Sequence, residues 1–138
     1  MKRVFLDANV LFTAAHNPNG KAAFVVELAS MNAFKLFTGD YAREEAERNI
    51  SANYPGCLAE FKRLLENITV IPIIHPATAY PDVLPAKDAP IFIAAVNCRA
   101  THLLTGDVKH FGLLLNQPEL CDGMIVQTVA AFLDSILT

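Results

Sequence analysis

Lys2-Arg3-Val4-Phe5-Leu6-Asp7 is the stretch on which the reading of the fold turns. Val4, Phe5 and Leu6 are apolar in unbroken succession, with charge on both flanks. A strand with one wet face alternates polar and apolar residues. A continuous run reads as a strand buried on both faces, the central position of a parallel sheet. Asp7 ends the run and places a carboxylate at its carboxyl end.

Outward from this strand, helical and extended stretches alternate. Residues 10–15 read as a helical turn, broken by Asn17-Pro18-Asn19-Gly20. Residues 21–31 carry helical spacing at Ala22, Val25, Val26 and Ala29. A short strand over residues 35–38 leads into a helix that runs to about residue 53, with Asp40 as its expected N-cap. After the Tyr54-Pro55-Gly56 turn come a helix over 58–66 and a β-branched strand over 68–74. Residues 76–85 hold three prolines and read as an extended loop. An apolar helix over 88–99, a strand over 102–105, a short helix over 110–116, a strand over 124–126 and a helix over 129–137 complete the chain. The order is β-α-α-β-α-α-β-α-β-α-β-α. Strands separated by helices predict one α/β domain over residues 1–138, with a parallel sheet and right-handed crossovers.

Composition agrees with that class. The sequence is 53% hydrophobic and only 18% charged, as a sheet covered on both faces requires; an oligomer interface would shift the balance the same way. No apolar run reaches the ~20 residues needed to span a bilayer. The basic Lys2-Arg3 start resembles a signal peptide only until Asp7 interrupts it, so a cytosolic protein is expected. Three cysteines, Cys57, Cys98 and Cys121, form no C-x-x-C pair, which argues against a zinc site or a disulfide framework. The net charge of −3 counts against a nucleic-acid binder, unless acids crowd one cation-binding pocket, where bound ions reverse the local sign.

Four acids form such a set. Asp7 and Asp107 follow the first and fourth strands, at the edge where open α/β sheets bind ligands. Asp88 precedes Ala89-Pro90, the signature of an N-cap, and a capping carboxylate still has an oxygen free for a cation. Glu45 shares a helix face with Tyr41, Ala42, Ala46, Asn49 and Ile50, at the margin of the packed side. Glu44 and Glu47 fall on the other side, beside Arg43 and Arg48, and read as a solvated face. Gathered carboxylates repel one another and need protons or cations. Hard oxygen donors of this kind suit Mg²⁺ or Mn²⁺, which can activate water against a phosphodiester. Asn9 and Thr105 are placed to orient carboxylates or waters. Lys21, Lys87 and Lys109 are available for backbone-phosphate contacts. His110 follows Asp107 closely, but surface or packing roles outweigh a phosphate contact there.

These motifs resemble the PIN domain, also called the PilT N-terminal domain. Val4-Phe-Leu-Asp7-Ala-Asn9-Val-Leu is similar to that family's opening strand and first aspartate. Tyr41-Ala-Arg-Glu-Glu45-Ala-Glu-Arg-Asn-Ile50 resembles its acidic helix. Lys87-Asp88-Ala-Pro-Ile-Phe-Ile-Ala-Ala95 and Leu103-Leu-Thr-Gly-Asp107-Val-Lys-His-Phe111 resemble its third and fourth acidic motifs. The four come in family order over nearly the whole chain. The chain departs from the pattern at Ala8, where many members carry Thr or Ser, and its glutamate register admits Glu44 beside Glu45. The resemblance implies a three-layer α/β/α, Rossmann-like fold with about five parallel strands. It also implies an Mg²⁺- or Mn²⁺-dependent endoribonuclease held by Asp7, Glu45, Asp88 and Asp107, with RNA as substrate. Frequent homodimers and a cognate antitoxin follow from the likeness to VapC-like toxins.

Two other readings compete. A catalytically silent PIN-like module would bind RNA or protein without the acids converging. A haloacid-dehalogenase-like phosphatase also places an Asp after its first strand, but needs a second acid where this chain has Asn9. A Ser/His/Asp or Cys/His hydrolase has little support: His16, His75, His102 and His110 lie in separate contexts, and no nucleophile elbow or phosphate-binding glycine loop is present.

Overall fold

The computed structural model describes residues 1–72 and 79–137. Five strands, β1 (Arg3–Leu6), β2 (Lys35–Gly39), β3 (Thr69–Ile71), β4 (His102–Leu104) and β5 (Ile125–Gln127), form one sheet in the order β3-β2-β1-β4-β5. Every pairing is parallel. β1 is the middle strand, which is why Val4, Phe5 and Leu6 have no exposed surface. Its register sets Leu6 opposite Leu104 of β4, so Asp7 and Thr105 leave the sheet side by side.

Seven α-helices among the described residues cover the sheet, giving the three-layer α/β/α arrangement expected. They are α1 (Ala8–His16), α2 (Lys21–Ser30), α3 (Asp40–Asn53), α4 (Leu58–Leu65), α5 (Ala89–Asn97), α6 (Val108–Phe111) and α7 (Val129–Leu137). α1 packs on α2, α3 and α4, α5 packs on β2, and α2 packs on α7. Phe5, Phe61, Phe92, Phe111 and Phe132 are fully buried in the core between these layers. Each contributes about 3–5 kcal/mol relative to alanine at such positions.

The chain leads from β1 outward to β2 and β3, then returns across β1 to β4 and β5. Strand order therefore reverses between β1 and β4, the point at whose carboxyl edge open α/β sheets bind their ligands. The Thr38 hydroxyl of β2 donates 2.8 Å to the Leu6 carbonyl and fixes the end of β1 at this point.

Several local expectations need correction. Gly39, not Asp40, is the N-cap of α3. Asp40 is instead the first helical residue, where its charge complements the helix dipole and Arg43 lies 3.7 Å away. Asp88 holds the N-cap position of α5 without a side-chain cap bond, because its carboxylate is turned toward His110. The short helix expected at 110–116 begins earlier, at Val108, and ends at Phe111, since Asp107 caps it. The strand expected over 68–74 spans Thr69–Ile71; residues 73 and 74, His75 and the first part of the proline loop lie outside the described residues.

Candidate metal centre

Asp7 is the N-cap of α1, and the turn from strand to helix fixes its side chain. Oδ1 accepts the Ala8 N–H at 2.6 Å. Oδ2 accepts the Thr105 hydroxyl at 2.7 Å and the Asn9 amide at 3.3 Å. Three of the roughly four acceptor positions of a carboxylate are thus taken, and about one remains. Asp7 is only 5% exposed. Burial pushes its pKa from 3.8 up to about 6; the bonds from Thr105 and Ala8 oppose the rise, and the charges of Glu45 and Asp88 add to it.

Asp107 is held just as firmly. Its N–H donates to Thr105 Oγ1 at 3.0 Å, and its Oδ1 accepts the His110 N–H at 3.0 Å as the cap of α6. Thr105 therefore joins the two aspartates, donating to one and accepting from the backbone of the other. The Asn9 carboxamide does similar work between loops: its nitrogen donates to Asp7, while its oxygen accepts the Gly106 N–H at 2.7 Å.

Glu45 lies on α3, half-buried and near enough to Asp7 to raise its pKa. Glu44 is turned outward to Arg43 at 3.6 Å, and Arg43 also holds Glu47 at 3.5 Å. Arg43 thus gathers Asp40, Glu44 and Glu47, and Glu45 is the glutamate of α3 whose charge acts on Asp7. The Tyr41 hydroxyl reaches the Lys87 carbonyl at 3.4 Å, joining α3 to the turn that carries Asp88. The structure brings Asp88 and Asp107 together around His110, and the charges of Glu45 and Asp88 both act on Asp7.

Residues 3–109 match the family model described as PIN domain. The chain belongs to the PIN-domain family. No curated protein is a significant match. Solved structures similar to this PIN domain include a chain of the VapBC2 complex from Rickettsia felis, bound to a DNA fragment from their promoter. It covers 91% of this chain and 98% of its own at 15% identity, with a TM-score of 0.68. A chain of VapBC-1 from nontypeable Haemophilus influenzae covers 93% of this chain and 98% of its own, also at 15% identity, with a TM-score of 0.57. Identity that low carries the fold alone.

His110 of this PIN domain, whose sequence position points to a surface or packing role, stands against two of the acids. His110 Nδ1 is 2.8 Å from Asp107 Oδ2 and 3.1 Å from Asp88 Oδ2. Ligand atoms of Asp88, Asp107 and His110 all lie within 4.8 Å of one another. The only signal in the sequence is the spacing Asp107-Val-Lys-His110, which brings a capping aspartate and the residue three positions on to one side of a helical turn. Asp88 Oδ2 and His110 Nδ1 are buried and lack an aligned hydrogen-bond partner. Closely approached, unsatisfied donor atoms beside a protonation-prone Asp7 fit a divalent cation. Lys87 and Lys109 flank Asp88 and Asp107 and are exposed, as is Lys21 at the start of α2. No helix among the described residues is long and apolar enough to cross a membrane.

Proposed function

We propose that this PIN domain, acting as a single unit over residues 1–138, is a metal-dependent endoribonuclease of the VapC-like toxin kind. The observation that carries the proposal is the meeting of Asp88, Asp107 and His110 within 4.8 Å at the strand-order switch, beside a buried Asp7 that feels Glu45. Asp7, Glu45, Asp88 and Asp107 would hold one or two Mg²⁺ or Mn²⁺ ions, which when bound supply an activated water and neutralise charge on the attacked phosphate.

The chain's own residues prepare the site. The Thr105 hydroxyl and Asn9 amide fix the Asp7 carboxylate in one orientation. Capping of α6 fixes Asp107. Exposed Lys21, Lys87 and Lys109 supply contacts to the RNA backbone. Asn9 is engaged at both ends of its carboxamide, an orienting role, which disfavours the phosphatase reading that needs an acid there. The two VapBC complexes among the similar folds favour a cognate antitoxin as partner, and the family favours a homodimer.

The test is cleavage of end-labelled single-stranded RNA by the purified chain with Mg²⁺, with Mn²⁺ and with chelator. Cleavage should require the metal and vanish in Asp7→Asn and Asp107→Asn. Undiminished cleavage in either variant, or in chelator, overturns the proposal. Equal cutting of single-stranded DNA would overturn the assignment to RNA.

A further inference from the structure

We infer that His110 is a nitrogen ligand of the centre and that it biases the site toward Mn²⁺ over Mg²⁺. The inference rests on the metal-dependent reading above and adds a donor of another chemical type to its carboxylates.

The geometry separates a ligand from a salt-bridge partner. A charged imidazole would aim its Nδ1–H along one carboxylate lone pair. Nδ1 instead sits 2.8 Å from Asp107 Oδ2 and 3.1 Å from Asp88 Oδ2 without an aligned hydrogen bond to either. Atoms that close without an aligned hydrogen bond are spaced as ligands of one shared ion would be. Neighbouring ligands of a six-coordinate ion with bonds near 2.1 Å are separated by about 3 Å, because the edge of an octahedron is about 1.4 times its radius. The two observed separations bracket that edge.

Local structure holds the ring in place. The His110 N–H is bound to Asp107 Oδ1 at 3.0 Å, so α6 cannot turn without breaking its cap. His110 also brings a donor atom without another negative charge. A nitrogen donor therefore adds a ligand to the carboxylates without adding to their mutual repulsion.

The donor type then sets the metal. Mg²⁺ takes oxygen ligands and gives up water reluctantly; Mn²⁺ also prefers oxygen but, as a first-row transition ion, tolerates an imidazole nitrogen better than Mg²⁺ does. A mixed oxygen and nitrogen set therefore favours Mn²⁺ more than an all-carboxylate set would.

The test uses the full chain labelled with ¹⁵N-histidine and loaded with Mn²⁺ alone, read by electron spin-echo modulation. The expected result is a ¹⁵N coupling from directly bound nitrogen, absent in His110→Ala and His110→Gln. Calorimetric titration of the same proteins should show Mn²⁺ affinity falling by about 10-fold or more in either variant, with Mg²⁺ affinity falling far less. Bound Mn²⁺ with no nitrogen coupling in the wild-type chain overturns the His110 assignment and leaves the carboxylate centre standing; that spectrum needs no variant to fold. An equal loss of affinity for both metals also overturns it. Failure of the wild-type chain to bind Mn²⁺ at all sinks this inference and the metal-dependent reading together.

Discussion

The Thr105 hydroxyl donates a 2.7 Å hydrogen bond to Asp7 Oδ2, joining residues 98 positions apart in the chain. Parallel pairing of β1 and β4 makes this contact inevitable once Leu6 and Leu104 are in register. The same hydroxyl oxygen accepts the Asp107 N–H, so one small side chain sets the relative position of two aspartates.

Thr105→Val tests that arrangement, since valine keeps the shape and deletes the hydroxyl. Asp7 Oδ2 loses the closer of its two donors, and the Asp107 N–H loses its acceptor. Leaving such buried groups unsatisfied costs about 1–3 kcal/mol, measurable by chemical denaturation. Mn²⁺ affinity by calorimetry should fall about 10–100-fold, the usual consequence of losing a partner that orients a metal-binding carboxylate. Thr105→Ser should restore most of both. A valine variant with unchanged affinity would show that Thr105 only packs.

The raised pKa of Asp7 gives the metal-free protein an unusual pH profile. Its folded value, about 6, lies above the ordinary 3.8, so the folded state binds the proton more tightly than the unfolded chain. The stabilisation is complete below pH 3.8 and disappears as pH rises through 6. The interval between 3.8 and about 6 corresponds to about 3 kcal/mol of stability lost by neutral pH. In chelator, the melting temperature should therefore carry a falling contribution between pH 4 and pH 7 that Asp7→Asn removes. The variant should also melt higher than wild type at pH 7. Metal binding needs the ionised carboxylate, so Mn²⁺ affinity should move the other way and rise over the same range. A wild-type and Asp7→Asn pair with parallel profiles would remove the buried-acid argument.

Gly106 lies where a side chain would disturb Asn9. A Cβ added there would stand 3.2 Å from Asn9 Oδ1, the atom that accepts the Gly106 N–H. Gly106→Ala should shift the Asn9 carboxamide by a few tenths of an ångström, with a stability cost of about 1 kcal/mol, the low end for overpacking. RNA cleavage should drop several-fold, because Asn9 also donates to Asp7. Activity equal to wild type would mean that Asn9 orients nothing the reaction uses.

The fold was readable because its decisive signals are local. Val4-Phe5-Leu6 can be buried on both faces only as a central strand, and the alternation of elements requires parallel connections. Asp7 and Asp107 could be placed because strand ends are legible in one dimension. His110 could not. Its position depends on Asp88 arriving from a separate loop and on the cap that turns α6. Asp88 itself looked like a helix cap; the structure keeps it at that position but turns its carboxylate to a partner 22 residues away in sequence. Such choices among competing polar partners are made in three dimensions.

The choice between Glu44 and Glu45 is the sharpest case, and one pair of variants decides it. Glu44 has a half-exposed side chain held by Arg43 at 3.6 Å, a contact worth little in water. Glu44→Gln should leave cleavage within about twofold and stability within about 0.5 kcal/mol, as for other surface changes. Glu45 is half-buried, and its charge helps to raise the Asp7 pKa. Glu45→Gln should cut cleavage by about 10–100-fold, like the loss of other groups that serve a metal site. Removing its charge should also bring the Asp7 pKa down toward the ordinary value, because less repulsion opposes ionisation. The metal-free Glu45→Gln protein should accordingly be slightly more stable than wild type at pH 7, losing less stability between pH 4 and pH 7. Cleavage assays and melting curves in chelator read the two effects separately. Full activity in Glu45→Gln with loss in Glu44→Gln would move the site glutamate by one residue and require α3 to turn by about 100°.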